Sequence, residues 1–244
     1  MNVTTRFLHF RGFCHNMYTG KNQIQKERLQ KMKKRKTLLT AIFLLTAFVL
    51  WTAIVALIDV QAIGPMGAQV GFATLNQWFH ALTGTHMALY TITDWLSVIP
   101  IGIVAGFAAL GLCQWIKRRK LTAVDPDILL LGVFYITVVA VYVFFELFVI
   151  NVRPIRIDGN LEASYPSSTT VLVLCVMSTA IMQLKTRLKS KRILSIALTA
   201  IVIFTAFMLV GRLLSGVHWL TDIIGGVLIS AGLITLYRAF TRSE

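Results

Sequence analysis

The sequence predicts an all-α integral membrane protein, a bundle of six transmembrane helices. Two observations carry that expectation. Of its 244 residues, 56% are hydrophobic and only 14% charged, and the mean hydropathy is +0.72. A water-soluble domain of this length cannot bury so much apolar side chain. The remaining charges stand in short collars between long apolar runs.

Residues 1–36 are polar and basic without apolar periodicity, and they read as a cytoplasmic arm near anionic headgroups. Met32, directly before Lys33, is an equally good start. Leu38 to Ile58 then gives 21 residues without a charge, enough to cross a hydrocarbon core of about 30 Å. That run exceeds a typical signal-peptide core of roughly 7–15 residues, so a retained anchor is expected. Trp95 to Ile116 is the second span and Ile128 to Ile150 the third, interrupted only by Glu146. Ser167 to Leu184 is the fourth, Ile193 to Val210 the fifth, and Val217 to Leu236 the sixth, with His218 and Asp222 inside it. The membrane domain therefore covers 37–238 and leaves a short tail, 239–244.

The basic residues orient these spans. Of 24 Lys and Arg, 21 fall in the arm, in the collars Lys117–Lys120 and Lys185–Arg192, and in the tail at Arg238 and Arg242. The positive-inside rule places all of these in the cytoplasm, as for a plasma-membrane protein with both termini inside. The outer loops then hold only Arg153, Arg156 and Arg212. The net charge of +14 does not indicate nucleic acid, because the cations form collars and do not converge on one folded face. Cys14, Cys113 and Cys175 are scattered and point to neither a disulfide framework nor a metal cluster. In the first outer loop, Val70, Phe72, Leu75, Trp78, Phe79 and Leu82 suggest a helix lying in the interface or packed over the helix ends.

The chemistry is expected at the outer end. A carboxylate inside a membrane helix costs roughly 2.5–3.5 kcal/mol on insertion scales, so Asp222 needs a partner. His218 is four residues earlier, on the same helical face. The Asp would fix one imidazole nitrogen and leave the other as a nucleophile. Arg212, in the short loop entering the same helix, suits a phosphoryl group that it can grip bidentately. Tyr165-Pro166-Ser167-Ser168-Thr169-Thr170 opens the fourth span as a helix N-terminus with free amides, an anion site to which Ser167 adds a hydroxyl. Arg153-Pro154-Ile155-Arg156 adds two cations where topology disfavours them.

Together, R-x5-H-x3-D, P-S-S and R-P resemble the three signatures of the type-2 phosphatidic acid phosphatases, or lipid phosphate phosphatase superfamily (PAP2). These signatures are written K-x6-R-P, P-S-G-H and S-R-x5-H-x3-D. Arg212, His218 and Asp222 meet the third, with Gly211 where Ser is usual and Ile223-Ile224-Gly225-Gly226 trailing. Pro166 and Ser167 meet the second, with Ser168 for Gly, and Arg153 and Pro154 meet the first. The resemblance implies a PAP2-like core and a metal-independent, cofactor-free phosphatase. His218 would form a phosphohistidine and Asp222 would orient it, while Arg153, Arg212 and Ser167 hold phosphoryl oxygens; beside these, Arg156, Ser168 and Thr169 are candidate phosphate-binding residues by position. The implied substrate is a lipid phosphate or diphosphate in the outer leaflet: a polyprenyl diphosphate, phosphatidic acid or phosphatidylglycerol phosphate.

Two departures stand out. The motif lysine is Glu146, and the motif histidine that protonates the leaving group is Thr169, a residue without a suitable pKa. A diphosphate needs little acid help. Otherwise Glu146, or less readily His80 or His86, supplies the proton, and Arg156 restores the missing positive charge. Glu146 is as well explained by an ion pair with Arg153 or Arg156. The alternative function is a catalytically weakened lipid-phosphate binder. A transporter is disfavoured, because the two halves show no paired broken helices.

Overall fold

Five prolines punctuate the chain, and only Pro100 lies inside one of the long apolar runs, near its start. Three of them mark helix starts in the computed structural model, which describes residues 3–241 and the side chains of 25–241. The helices are α1 (Val3–Leu57), α2 (Ala73–Thr83), α3 (Met87–Leu96), α4 (Val98–Arg118), α5 (Pro126–Leu147), α6 (Ser168–Arg187), α7 (Lys191–Leu214) and α8 (Leu220–Phe240). Pro126 is the first residue of α5 and Pro166 closely precedes α6, sites where a missing amide hydrogen costs nothing. Pro100 lies in the first turn of α4.

Among the described residues, six helical stretches are long and apolar enough to cross a membrane. They correspond to the six expected spans, with α3 and α4 forming one stretch, Met87–Arg118, that begins eight residues before Trp95. The segment expected as an arm is helical from Val3, continuous with the first span. Within the tail, residues 242–244 lie outside those described.

α6 and α8 are the most enclosed spans, and α1 packs along α8. Gly232 allows that approach, since a Cβ there would stand 2.6 Å from Leu45 Cδ2. The core joins Phe48 of α1, Leu131, Phe134 and Val138 of α5, Cys175 and Val176 of α6, and Leu233 of α8. Residues such as Phe43, Ile136 and Ile203 face outward, which suits a hydrocarbon surround and not water.

Two sequence expectations about the sixth span are corrected. Arg212 is not in a loop; it belongs to the last turn of α7. His218 and Asp222 do not share a helical face, because α8 begins only at Leu220 and His218 precedes it. The cause is local. Gly216 adopts φ +68° where a Cβ would meet the Gly84 carbonyl oxygen at 2.0 Å, and the Asp222 carboxylate caps the Trp219 amide, so the helix cannot extend back through His218.

The α5–α6 connection is a strap and not an open loop. Its two arms are bridged at Val152–Ala163 and Ile157–Asn160, and Asp158 (φ 48°) and Gly159 (φ 79°) make the turn. Two successive left-handed residues match the twist of a tight hairpin. The expected interfacial segment forms α2. Its buried Asn76 bonds Thr221 at the start of α8, while Trp78 and Leu82 remain exposed.

Candidate active site

Six segments meet at the end of the bundle remote from the basic collars: α2, α3, the strap, the start of α6, the end of α7 and the start of α8. The centre is His218, 3% exposed. Its Nδ1 is 3.2 Å from the Ser164 carbonyl oxygen and 3.7 Å from Asp222 Oδ2. A carbonyl only accepts, so Nδ1 carries the hydrogen and Nε2 keeps its lone pair. That Nε2 is buried and has no hydrogen-bond partner among the described residues. The carboxylate expected to hold the imidazole is therefore the more distant neighbour, and the strap backbone provides the hydrogen bond.

Asp222 is fully buried and satisfied by neutral donors. Oδ2 accepts the Trp219 amide at 2.9 Å, and Oδ1 lies 3.4 Å from Asn151 Nδ2. Asn151 is itself pinned, its Oδ1 accepting the Gly71 amide at 3.0 Å. The Asp222 carbonyl accepts the Ser167 amide at 3.1 Å, which ties the start of α6 to the first turn of α8. Gly225 and Gly226 permit the contact, for a Cβ at Gly225 would lie 2.6 Å from the Tyr165 ring and one at Gly226 3.0 Å from Thr170.

Two guanidinium groups flank the imidazole. Arg212, 2% exposed, donates from Nη2 to Asp94 at 3.0 Å and to the Thr169 hydroxyl. Arg153 Nε stands 2.9 Å from Glu162 Oε2, a close ion pair without the alignment of a hydrogen bond. The Tyr90 ring lies 5.0 Å from the Arg212 guanidinium carbon and 6.0 Å from that of Arg153. Arg212 Nε and Nη1 and Arg153 Nη1 are buried without hydrogen-bond partners among the described residues. Burial pushes the His218 pKa down to about 4; Asp222 opposes that shift, and the two arginine charges reinforce it. The imidazole is neutral at pH 7.

The other expected residues divide. Ser167 caps α6; its hydroxyl accepts from Thr170, leaving its own proton to donate. Ser168 and Thr169 open α6, where first-turn amides have no helical acceptor. Arg156 is exposed near the strap turn, has no ion pair among the described residues, and does not join the cluster. Glu146 is exposed in the last turn of α5 and pairs with neither Arg153 nor Arg156. It lines a largely apolar cavity of about 360 Å³ beside Tyr142, Ser164 and Thr169. His80 turns its Nε2 to the Gly216 carbonyl at 3.1 Å, and His86 to the Thr83 carbonyl at 2.9 Å, so both ring protons point to backbone. Tyr90, Asp94, Asn151, Glu162 and Ser164 were not anticipated. Asp94 and Glu162 carried a signal, as acids in loops that hold few charges.

Fold and site together define a polytopic membrane protein with a buried, neutral histidine near Arg212, also buried, and the partly buried Arg153. The chain belongs to the PAP2 superfamily, whose family model matches residues 101–243, more than half of it. That range includes His218, Asp222, Arg153, Arg212 and Thr169, but not Tyr90 or Asp94. Among solved structures the chain is similar to a transmembrane PAP2-type phosphatidylglycerolphosphate phosphatase from Bacillus subtilis. Identity is 18% and the TM-score 0.50, over 82% of this chain and 94% of that one, a likeness of fold. No curated protein sequence matches.

Proposed function

We propose that this chain is a membrane phosphatase that hydrolyses a lipid phosphate or diphosphate through a phosphohistidine at His218. The observation that carries this is the unpartnered Nε2 lone pair of a neutral imidazole, beside buried guanidinium N–H groups that also lack partners. Such an array calls for an anion with several acceptor oxygens, and a phosphoryl group is the anion an imidazole can attack.

In the first step Nε2 attacks phosphorus in line. The P–N bond forms as the P–O bond breaks, and the leaving group departs with the electron pair. Arg212, Arg153, the Ser167 hydroxyl and the first α6 amides take the charge on the equatorial oxygens. In the second step water attacks phosphorus, the P–N bond breaks, and His218 regains its lone pair. The Ser164 carbonyl and Asp222 stabilise the positive charge that the ring carries between the steps.

Thr169 is engaged with Arg212 and has no proton of useful acidity, so a diphosphate with its weakly basic leaving phosphate suits the site. Glu146, which lines the same cavity as Ser164 and Thr169 and is paired with neither site arginine, is the carboxyl assigned to protonate a more basic leaving group. A polyprenyl diphosphate, phosphatidic acid and phosphatidylglycerol phosphate are the candidate substrates. The collars support a cytoplasmic arm (1–36) and tail (239–244), with the site at the outer face of the plasma membrane.

The test is phosphate release from purified protein in detergent without added metal, over diphosphate and monophosphate lipids. His218→Ala is expected to abolish it. Equal release by that variant would remove His218 from the mechanism, and silence across all substrates with retained lipid binding would make the chain a binder.

A further inference from the structure

At the opposite end of the bundle lies a second cavity, of about 810 Å³. Lys33 and Lys36 of α1, Lys185 of α6 and Arg238 of α8 line it, opposed by one acid, Asp127 of α5. Among the described residues, none of these four cations is within ion-pair distance of a carboxylate. Lys185 and Arg238 sit in the last turns of α6 and α8, where a cation complements the helix dipole. Lys33 and Lys36 are mid-helix in α1 and have no such role. Ile181, Met182 and Ile234 give the wall an apolar strip, with Ser178, Gln183 and Tyr237 beside it. Lys185 is 16 residues beyond Thr169 on one helix, about 24 Å away at 1.5 Å per residue, so the cavity is separate from the histidine centre.

We propose that this cavity is a binding site for an anionic phospholipid of the adjacent leaflet, with its phosphate on the cationic rim and an acyl chain along the apolar strip. Cations converging from three helices beside an apolar strip match an amphiphile; a soluble anion would leave the strip unused. Basic pockets between membrane helices at the positively charged face are suited to such headgroups, and each nearby Lys or Arg adds about 1 kcal/mol of attraction. The lipid would bridge α1, α6 and α8, the last two of which carry Thr169 and Asp222 at their other ends.

The test uses the full-length protein in neutral detergent, titrated with mixed micelles of phosphatidylglycerol or phosphatidylcholine, and separately with inorganic phosphate. Retained lipid is counted by native mass spectrometry and Tm is followed. Phosphatidylglycerol is expected to be retained and to raise Tm, and the other two are not. Lys185→Gln with Arg238→Gln should weaken retention roughly 25-fold, about fivefold per cation. Arg119→Gln with Lys120→Gln, in another collar, should leave it unchanged, as should Arg212→Ala at the histidine centre. Equal retention of phosphatidylcholine overturns the proposal even if the variants misfold. So does an equal Tm rise with inorganic phosphate, an equal loss in the collar control, or loss in Arg212→Ala.

Discussion

Replacing Thr169 with valine removes a hydroxyl at nearly constant volume, at a position 7% exposed. In the structure that oxygen accepts from Arg212 Nη2, the nitrogen that also reaches Asp94. The two acceptors differ in setting: Thr169 is buried at the start of α6, whereas the Asp94 side chain is 55% exposed. Without the hydroxyl, Nη2 keeps Asp94 alone of these two acceptors, and the guanidinium loses its tie to α6. A hydrogen bond to a charged group contributes about 1.5–3 kcal/mol, so kcat/KM for phosphate release should fall roughly 10- to 150-fold. Thr169→Ser keeps the oxygen and should stay close to wild type. Thr169→His restores the residue typical of the PAP2 signature, yet it too should lower the rate, because it removes the oxygen that seats Arg212. The assay is initial-rate phosphate release in detergent, with Tm as the check on folding. A valine variant within twofold of wild type, or a histidine variant faster than wild type, would refute the positioning role.

Other expectations follow from the same geometry. The His218 pKa is about 4 in the fold, against about 6.5 when unfolded, so the neutral ring is the form the fold favours. Its contribution, on the order of 3 kcal/mol, is fully present above pH 6.5 and is lost as pH falls toward 4. Tm of the wild type should therefore drop across that window relative to His218→Gln, and parallel curves would contradict the buried neutral ring. Asn151→Ala strips partners from the Gly71 amide and from Asp222, costing about 1–3 kcal/mol in thermal or denaturant unfolding. Asn151→Asp, which buries a second carboxylate beside Asp222, should be worse. Gly225→Ala drives a methyl into the Tyr165 ring, itself wedged by Phe48, Phe145 and the Thr52 hydroxyl. A loss of about 1–3 kcal/mol is expected, with reduced phosphate release as the neighbouring Ser164 carbonyl shifts; an unchanged Tm would show that the ring can yield.

The six spans were legible because a membrane helix must be apolar along a fixed length, and the collars stop each one. The spacing of Arg212, His218 and Asp222 was legible as chemistry, though not as geometry. A four-residue interval reads as one helical face, and it took the left-handed Gly216 and the Asp222 cap to show that the helix starts later. Arg153 and Arg156 look equivalent in sequence. Only the bridging of Val152 with Ala163 sets Arg153 in the paired arm and Arg156 near the turn. The Asp158-Gly159 pair was a readable hairpin signal. The hydrogen-bond partner of His218 was not readable at all, since a backbone carbonyl has no letter in the sequence.

That carbonyl has a practical consequence for anyone scanning the protein by substitution. Exchanging the residue at 164 for another small one leaves the peptide oxygen in place, so a conventional alanine scan would pass over the group that aims the imidazole. Its contribution becomes visible only when the peptide itself is altered, by a backbone ester, or when the path of the strap is changed by inserting or deleting a residue between Asn151 and Ser164.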